Sequence, residues 1–194
     1  MCMDTAQRTS NEQQRYQALY AKGYPPGNPE RLVVWAGAKL EEKVIDFGCG
    51  RGTLSRIFAR YTGVDFASNA FPKRPGAKQA FIESSLDNLP EAIRSESFDC
   101  GVCADVMEHI ETDKVDATLD SILSIDCGRI LFAICCRESR WRDEQGQLHL
   151  TIKPPMWWGA KIAERAKSRW VQYASRWSGG TLYLEMIQVT DFAD

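Results

Sequence analysis

Residues 44–53 read VIDFGCGRGT: a short branched-apolar run, an acid, then glycine at three alternate positions. Few local patterns restrict a chain so tightly. Glycine adopts backbone conformations closed to other residues, so the apolar run must end as a strand that turns in a bend stripped of side chains. Such a bend lets a ligand come within contact distance of the backbone. In open parallel sheets ligands bind outside the carboxyl ends of the strands, where strand order reverses. The usual dinucleotide fingerprint, G-x-G-x-x-G, would need glycine at position 53, which is Thr53, so a nicotinamide or flavin site fits poorly. Asp46, two residues before the first glycine, is also a poor neighbour for phosphate.

The surrounding pattern fixes the sheet. KVIDFG, TGVDF, QAFIESS, SFDCGVCAD and GRILFAICC read as strands. GTLSRIFARY and KVDATLDSILSI read as helices between them. Continuous apolar strands separated by amphipathic helices indicate a parallel sheet covered on both faces. PPMWWGAKIAERAKS is a further helix, and RWVQYASRW and TLYLEMIQV flank SGG, the composition of a hairpin turn. An α/β fold follows: a mostly parallel, seven-stranded, Rossmann-like sheet with helices on both faces and a C-terminal antiparallel hairpin. Upstream, the first dozen residues read as frayed. Residues 12–21 read as a helix carrying Tyr16, Leu19 and Tyr20, and Asn28 with Pro29 reads as the start of another running through RLVVWAGAKLEE.

The 194 residues suit one domain with a sizeable core. Within it, 1–42 form an N-terminal helical lid, 43–136 the ligand-binding core, and 137–194 an acceptor-binding loop, helix and hairpin. A net charge of −2 gives no broad footprint for nucleic acid. No secretory or membrane-spanning segment is evident, so a cytoplasmic protein with no membrane partner is expected. Seven cysteines, mostly within apolar runs, read as reduced core residues. Cys100 and Cys103 form a C-x-x-C, but no second pair at zinc spacing follows them.

The acid-first glycine turn, D-F-G-C-G-R-G, resembles motif I of the class I S-adenosylmethionine-dependent methyltransferases. Three further segments extend the resemblance across residues 44–110: Asp65 in GVDFA at the second strand's end, SSLDNLP at 84–90, and FDCGVCADVMEHI at 98–110. The resemblance implies S-adenosylmethionine as cofactor. Asp46 would neutralise its ammonium group, with Gly48, Cys49, Gly50 and Gly52 forming the cradle. Asp65 would accept from both ribose hydroxyls, with Phe66 beside it. Ser85 and Leu86 would flank adenine, although the family usually has an acid and a small residue in these places, and Asp87 would cap the loop. Asp105 would complete the set.

The same resemblance implies methyl transfer to an oxygen or nitrogen of a small-molecule or nucleotide-end acceptor. A helix starting near residue 105 would place Asp105, Glu108 and His109 on one face. With His149 they could hold Mg²⁺ or Mn²⁺, as in the similar E-x-x-E-H arrangement of small-RNA 2′-O-methyltransferases, here with Asp for the first Glu. His149, His109 and Glu108 are the catalytic candidates. Arg137, Arg140, Trp141, His149 and Lys153 would grip an anionic acceptor. Tyr16, Tyr20 and Tyr24 would contribute a lid. Two alternatives share the fold: a metal-assisted 2′-O-methyltransferase acting on an RNA end, and a cofactor-binding regulatory module without turnover.

Overall fold

The apolar runs form the strands that their pattern predicts. In a computed structural model describing residues 5–25 and 27–189, strands β1 (Lys43–Phe47), β2 (Arg60–Asp65), β3 (Gln79–Glu83), β4 (Ser97–Ala104) and β5 (Asp126–Cys135) pair in parallel. A two-residue pair, β6 (Arg142–Asp143) and β7 (Gly146–Gln147), stands apart from the main sheet. β8 (Trp170–Ser178) and β9 (Thr181–Gln188) add an antiparallel hairpin against β5. Its turn uses Gly179 and Gly180, both at positive φ, as right-twisting strands require. The sheet order is β3-β2-β1-β4-β5-β9-β8. The order reverses between β1 and β4, and a ligand cleft opens at that point.

Alternation along β1 divides the interior in two. Ile45 and Phe47 face helices α4 (Val115–Leu123) and α5 (Pro155–Ala166), joining Leu119, Ile122, Phe132, Trp158 and Ile162. Val44 faces the opposite side, where α2 (Pro29–Trp35) supplies Leu32 and Val33. Cys100 and Cys103 point to opposite faces of β4 in the same way, one in each core. Both are packed as small apolar side chains. A single-turn helix, α3 (Glu91–Arg94), leads into β4.

Three elements differ from the sequence reading. The helix expected over GTLSRIFARY is one 3₁₀ turn, Thr53–Arg56. β2 already begins at Arg60, so the connection has room for one turn, and Leu54 and Phe58 still dock in the α2-side core. The helix expected through RLVVWAGAKLEE stops at Trp35. Gly37, at φ 62, ends it: its N–H reaches the Val34 carbonyl and the Ala38 N–H reaches Val33, a Schellman closure. Asn28 makes no side-chain cap there. At the N-terminus α1 spans Thr5–Ala21, so most of the stretch read as frayed is helical; residues 1–4 lie outside the described residues. No helix among the described residues is long and apolar enough to cross a membrane.

Trp158 is the largest fully buried side chain. Trp158→Ala should lower unfolding free energy by about 3–5 kcal/mol in denaturant titrations, because the cavity collapses only in part. A loss below about 1 kcal/mol would show that α5 does not depend on this anchor.

Candidate active site

The bend after β1 is built as its sequence demands. Gly48 sits at φ 74, and a Cβ there would lie 2.5 Å from Val106. Gly50 sits at φ 49, and a Cβ there would lie 2.6 Å from the Tyr20 hydroxyl. Neither position admits a side chain. The Gly48 and Cys49 amides both donate to the Val64 carbonyl, at 2.8 and 3.0 Å. Asp65, at the tip of β2, accepts from the Gly50 N–H and the Ala67 N–H, each at 2.8 Å. The carboxylate of the second strand thus holds the bend of the first.

Asp46 and Asp65 share this dry corner. The Tyr61 hydroxyl donates to Asp46 at 2.6 Å. Burial nevertheless pushes the Asp46 carboxyl up to about 7, and the charge of Asp65 pushes the same way. Burial also raises Asp65, against the pull of its backbone donors. Two carboxyls held above their ordinary range in one cleft favour a cationic ligand.

The cleft gathers Asp46, Gly48, Cys49, Gly50, Asp65, Phe66, Ser85, Leu86 and Asp105 around one space. Gly52 is not among them; it backs onto the Phe81 ring behind the turn. Phe66 and Leu86 provide apolar surface for a base. The Ser85 hydroxyl donates to Asp87 at 2.5 Å, and Asp87 itself lines the cleft rather than only capping a loop. The residues therefore fit the amino acid, ribose and adenine of S-adenosylmethionine: acids for the cationic and hydroxyl groups, glycines for close approach, and an apolar slot.

α1 lies over the cleft. Glu12, Tyr16 and Tyr20 recur at four-residue spacing on one helix face, and all three line the space, as does Tyr24 beyond the helix. Several ties keep α1 there. Arg15, almost wholly buried, donates to both Asp143 oxygens at 2.6 and 2.8 Å, joining α1 to the β6–β7 pair. The Tyr16 hydroxyl lies 2.7 Å from His109 Nδ1. Gln13 adds bonds to the Phe66 carbonyl and to Glu83, both at 2.7 Å. Glu12, Glu111 and Lys114 also line the cleft and were not anticipated from the sequence; only the tertiary fold brings them to it.

The expected one-face set of Asp105, Glu108 and His109 does not form. Asp105 takes φ 55, a left-handed conformation, and Met107–His109 is a 3₁₀ turn rather than a helix start. The three side chains therefore diverge. Asp105 accepts from the Asn28 N–H at 3.2 Å. Glu108 turns fully inward, where burial pushes it up to about 8. His109 faces the cleft, and burial, reinforced by His149, lowers it to about 3. It stays neutral at physiological pH. Among the described residues, Asp105 and His109 join no cluster of ligand atoms with Glu108 and His149, so the hard-cation set expected for Mg²⁺ or Mn²⁺ is not assembled.

The substrate candidates lie elsewhere too. Arg137, Arg140, Trp141, His149 and Lys153 are all absent from the cleft lining. The chain leaving β5 turns toward the hairpin: the Cys136 N–H bonds Gly180, and the Arg137 side chain packs against Gly180. Arg140 is exposed, Lys153 rests over Trp157, and Trp141 meets Tyr24 edge-on.

A reversal-point cleft with two acids and a glycine bend, in a seven-stranded sheet closed by an antiparallel hairpin, is the arrangement of the class I methyltransferase fold. Residues 45–125 match the family described as Methyltransferase domain. No curated protein sequence registers as a relative. Solved structures share the fold at low identity. The Burkholderia thailandensis 1,6-didemethyltoxoflavin-N1-methyltransferase, with bound 1,6-didemethyltoxoflavin and S-adenosylhomocysteine, is 16% identical, with 98% of this chain and 92% of that chain covered and a TM-score of 0.71. The DhpI–SAH complex is 15% identical, with 93% and 96% covered and a TM-score of 0.69. The methyltransferase domain of a bacterial Hen1, CtHen1-CN, is 17% identical, with 82% and 98% covered and a TM-score of 0.58.

The raised Asp46 gives a pH-dependent prediction. Its folded value of about 7 exceeds the unfolded value of about 3.9. The native state therefore holds the proton more tightly, and that contribution to stability is lost as pH rises from about 4 through 7. Asparagine mimics the protonated acid. Thermal melts without cofactor should show Asp46→Asn gaining more stability relative to wild type at pH 8 than at pH 5. An equal offset at both values would contradict the buried-acid account.

Proposed function

We propose that this chain transfers a methyl group from S-adenosylmethionine to an oxygen or nitrogen of a small acceptor seated under α1. The observation that carries this reading is the lid: a helix tied down by the buried Arg15–Asp143 pair and by Tyr16 at His109. Such a cover suits a small molecule that can be enclosed.

S-adenosylmethionine supplies the activated methyl on its sulfonium. The chain's own residues bind, orient and exclude water. Asp46 neutralises the cationic amino-acid end, and Asp65 uses its remaining lone pairs to accept from ribose hydroxyls. Phe66 and Leu86 enclose adenine, and the Ser85–Asp87 pair meets its polar edge. Asp105 orders the segment around Asn28 that closes the cleft.

On α1, Tyr20 covers Gly50 and Glu12 lies eight residues earlier, about 12 Å along the axis. Glu12 and Glu111 therefore mark the acceptor's end, with Lys114. Glu111 pairs with Lys114 at 2.9 Å and Glu12 with Arg15 at 3.6 Å, a balanced set that supports a neutral acceptor, an amine or hydroxyl compound, over the anionic one that Arg137, Arg140 and Lys153 would have selected. Burial raises Glu12 above its ordinary value, which improves it as the acceptor for the departing proton. His109 stays neutral and orients the acceptor by hydrogen bonding.

The direct test is incubation with methyl-labelled S-adenosylmethionine and a panel of small amines, phenols and hydroxy compounds, alongside RNA 3′ ends. Label transfer to a small acceptor supports the reading. Transfer to RNA ends alone replaces it with the RNA-end alternative. Cofactor binding without any transfer leaves a regulatory module.

Two variants probe the parts. Asp65→Ala should weaken S-adenosylhomocysteine binding by about 1.5–3 kcal/mol in calorimetry, through lost charge-assisted bonds. Unchanged affinity in folded protein would remove the ribose assignment. Arg15→Met should release the lid and raise KM roughly tenfold or more for cofactor and acceptor, at little cost to the sheet. Unaltered kinetics would show that α1 closes the cleft without the Asp143 tie.

A further inference from the structure

Behind the cleft, Glu108 is wholly buried, yet only half of its carboxylate is satisfied. Oε1 accepts from the Cys135 N–H at 3.0 Å, whereas Oε2 has no partner among the described residues. A buried oxygen of this kind calls for an explanation. Around it, ligand atoms of Glu108, Cys135 and His149 lie within 4.8 Å of one another. The His149 ring is already oriented: Nδ1 stands 2.5 Å from the Arg137 carbonyl. Nδ1 therefore carries the proton and donates, leaving the Nε2 lone pair available. A backbone carbonyl behind an imidazole is the outer-shell support that metal-bound histidines use.

We propose that Glu108, Cys135 and His149 form a binding site for a borderline divalent cation of the zinc type, with oxygen, sulfur and nitrogen as ligands. A thiolate disfavours magnesium and calcium and suits zinc or cobalt. Three protein ligands leave a fourth tetrahedral place for water. With bonds of about 2.0–2.3 Å, tetrahedral ligands stand roughly 3.3–3.8 Å apart. The three atoms draw together by about 1 Å, within reach of side-chain rotation. Binding releases the Cys135 thiol proton to solvent and involves no redox change.

The three ligands come from different parts of the fold. Glu108 follows β4, Cys135 ends β5, and His149 lies in the loop before α5. The loop is already drawn in, because the Leu150 and Thr151 amides donate to the Glu108 carbonyl at 2.8 and 3.0 Å. None of the three ligands lines the cofactor cleft. The cation would therefore brace the loop after β5 rather than touch the acceptor. It also has a route to the cleft, since the His149 ring meets His109 edge-on at 4.7 Å. The site stands independently of the methyl-transfer reading.

The test titrates chelator-treated full-length protein with Co²⁺. The expected result is a single cobalt giving a near-ultraviolet thiolate-to-cobalt band and tetrahedral visible bands, displaced by Zn²⁺ and indifferent to Mg²⁺. Cys135→Ser should remove the ultraviolet band, and Cys136→Ser should keep it. No band in wild type, or an unchanged band in Cys135→Ser, overturns the proposal. Should Cys135→Ser fail to fold, Glu108→Gln and His149→Ala decide. Each should weaken cobalt binding roughly tenfold or more and reduce the zinc-induced rise in Tm. Wild-type affinity in both also overturns the proposal.

Discussion

The site depends on one carboxylate. Asp65 receives the Gly50 and Ala67 amides and so fastens the side-chain-free bend of β1 to the tip of β2. Those two contacts satisfy backbone donors that a buried bend would otherwise leave unpaired. They also place a second acid beside Asp46, in a corner from which water is largely excluded. Burial raises both acids. A ligand with a fixed positive charge would offset that cost.

The lid is held by interactions of a different kind. Among the described side chains, α1 contributes none to the two main cores; its ties are polar and aromatic. Arg15 is buried against Asp143, and Tyr24 meets both Tyr16 and Tyr20 edge-on above the cleft. Polar ties of this kind specify geometry more than they add stability.

Short-range patterns were readable from the sequence, and long-range pairings were not. The strands, the Gly179–Gly180 hairpin and the glycine bend follow from period and from residues with unusual backbone freedom. The helix expected after the bend failed because Leu54 and Phe58 keep a helical spacing and reach the same core although the turn ends at Arg56. Only the position of Arg60 in β2 settles the difference. The Asp105–Glu108–His109 face failed for a comparable reason: an aspartate at φ 55 breaks the helix on which the spacing relied. The arginine-rich loop drew attention by composition, but composition does not reveal which way a loop leaves the sheet. Tyr61 beneath Asp46, Asp143 beneath Arg15 and Cys135 beside Glu108 are pairings across the fold, and no local signal announces them.

The Arg15–Asp143 tie spans 128 residues of chain. During synthesis α1 leaves the ribosome before β6 and finds its Asp143 partner only after β6 has been made. At about 5–20 residues per second, that interval is on the order of 10 s. A nascent chain that already has its first five strands thus has its acid-lined groove but not yet the Asp143 partner that fastens α1 over it.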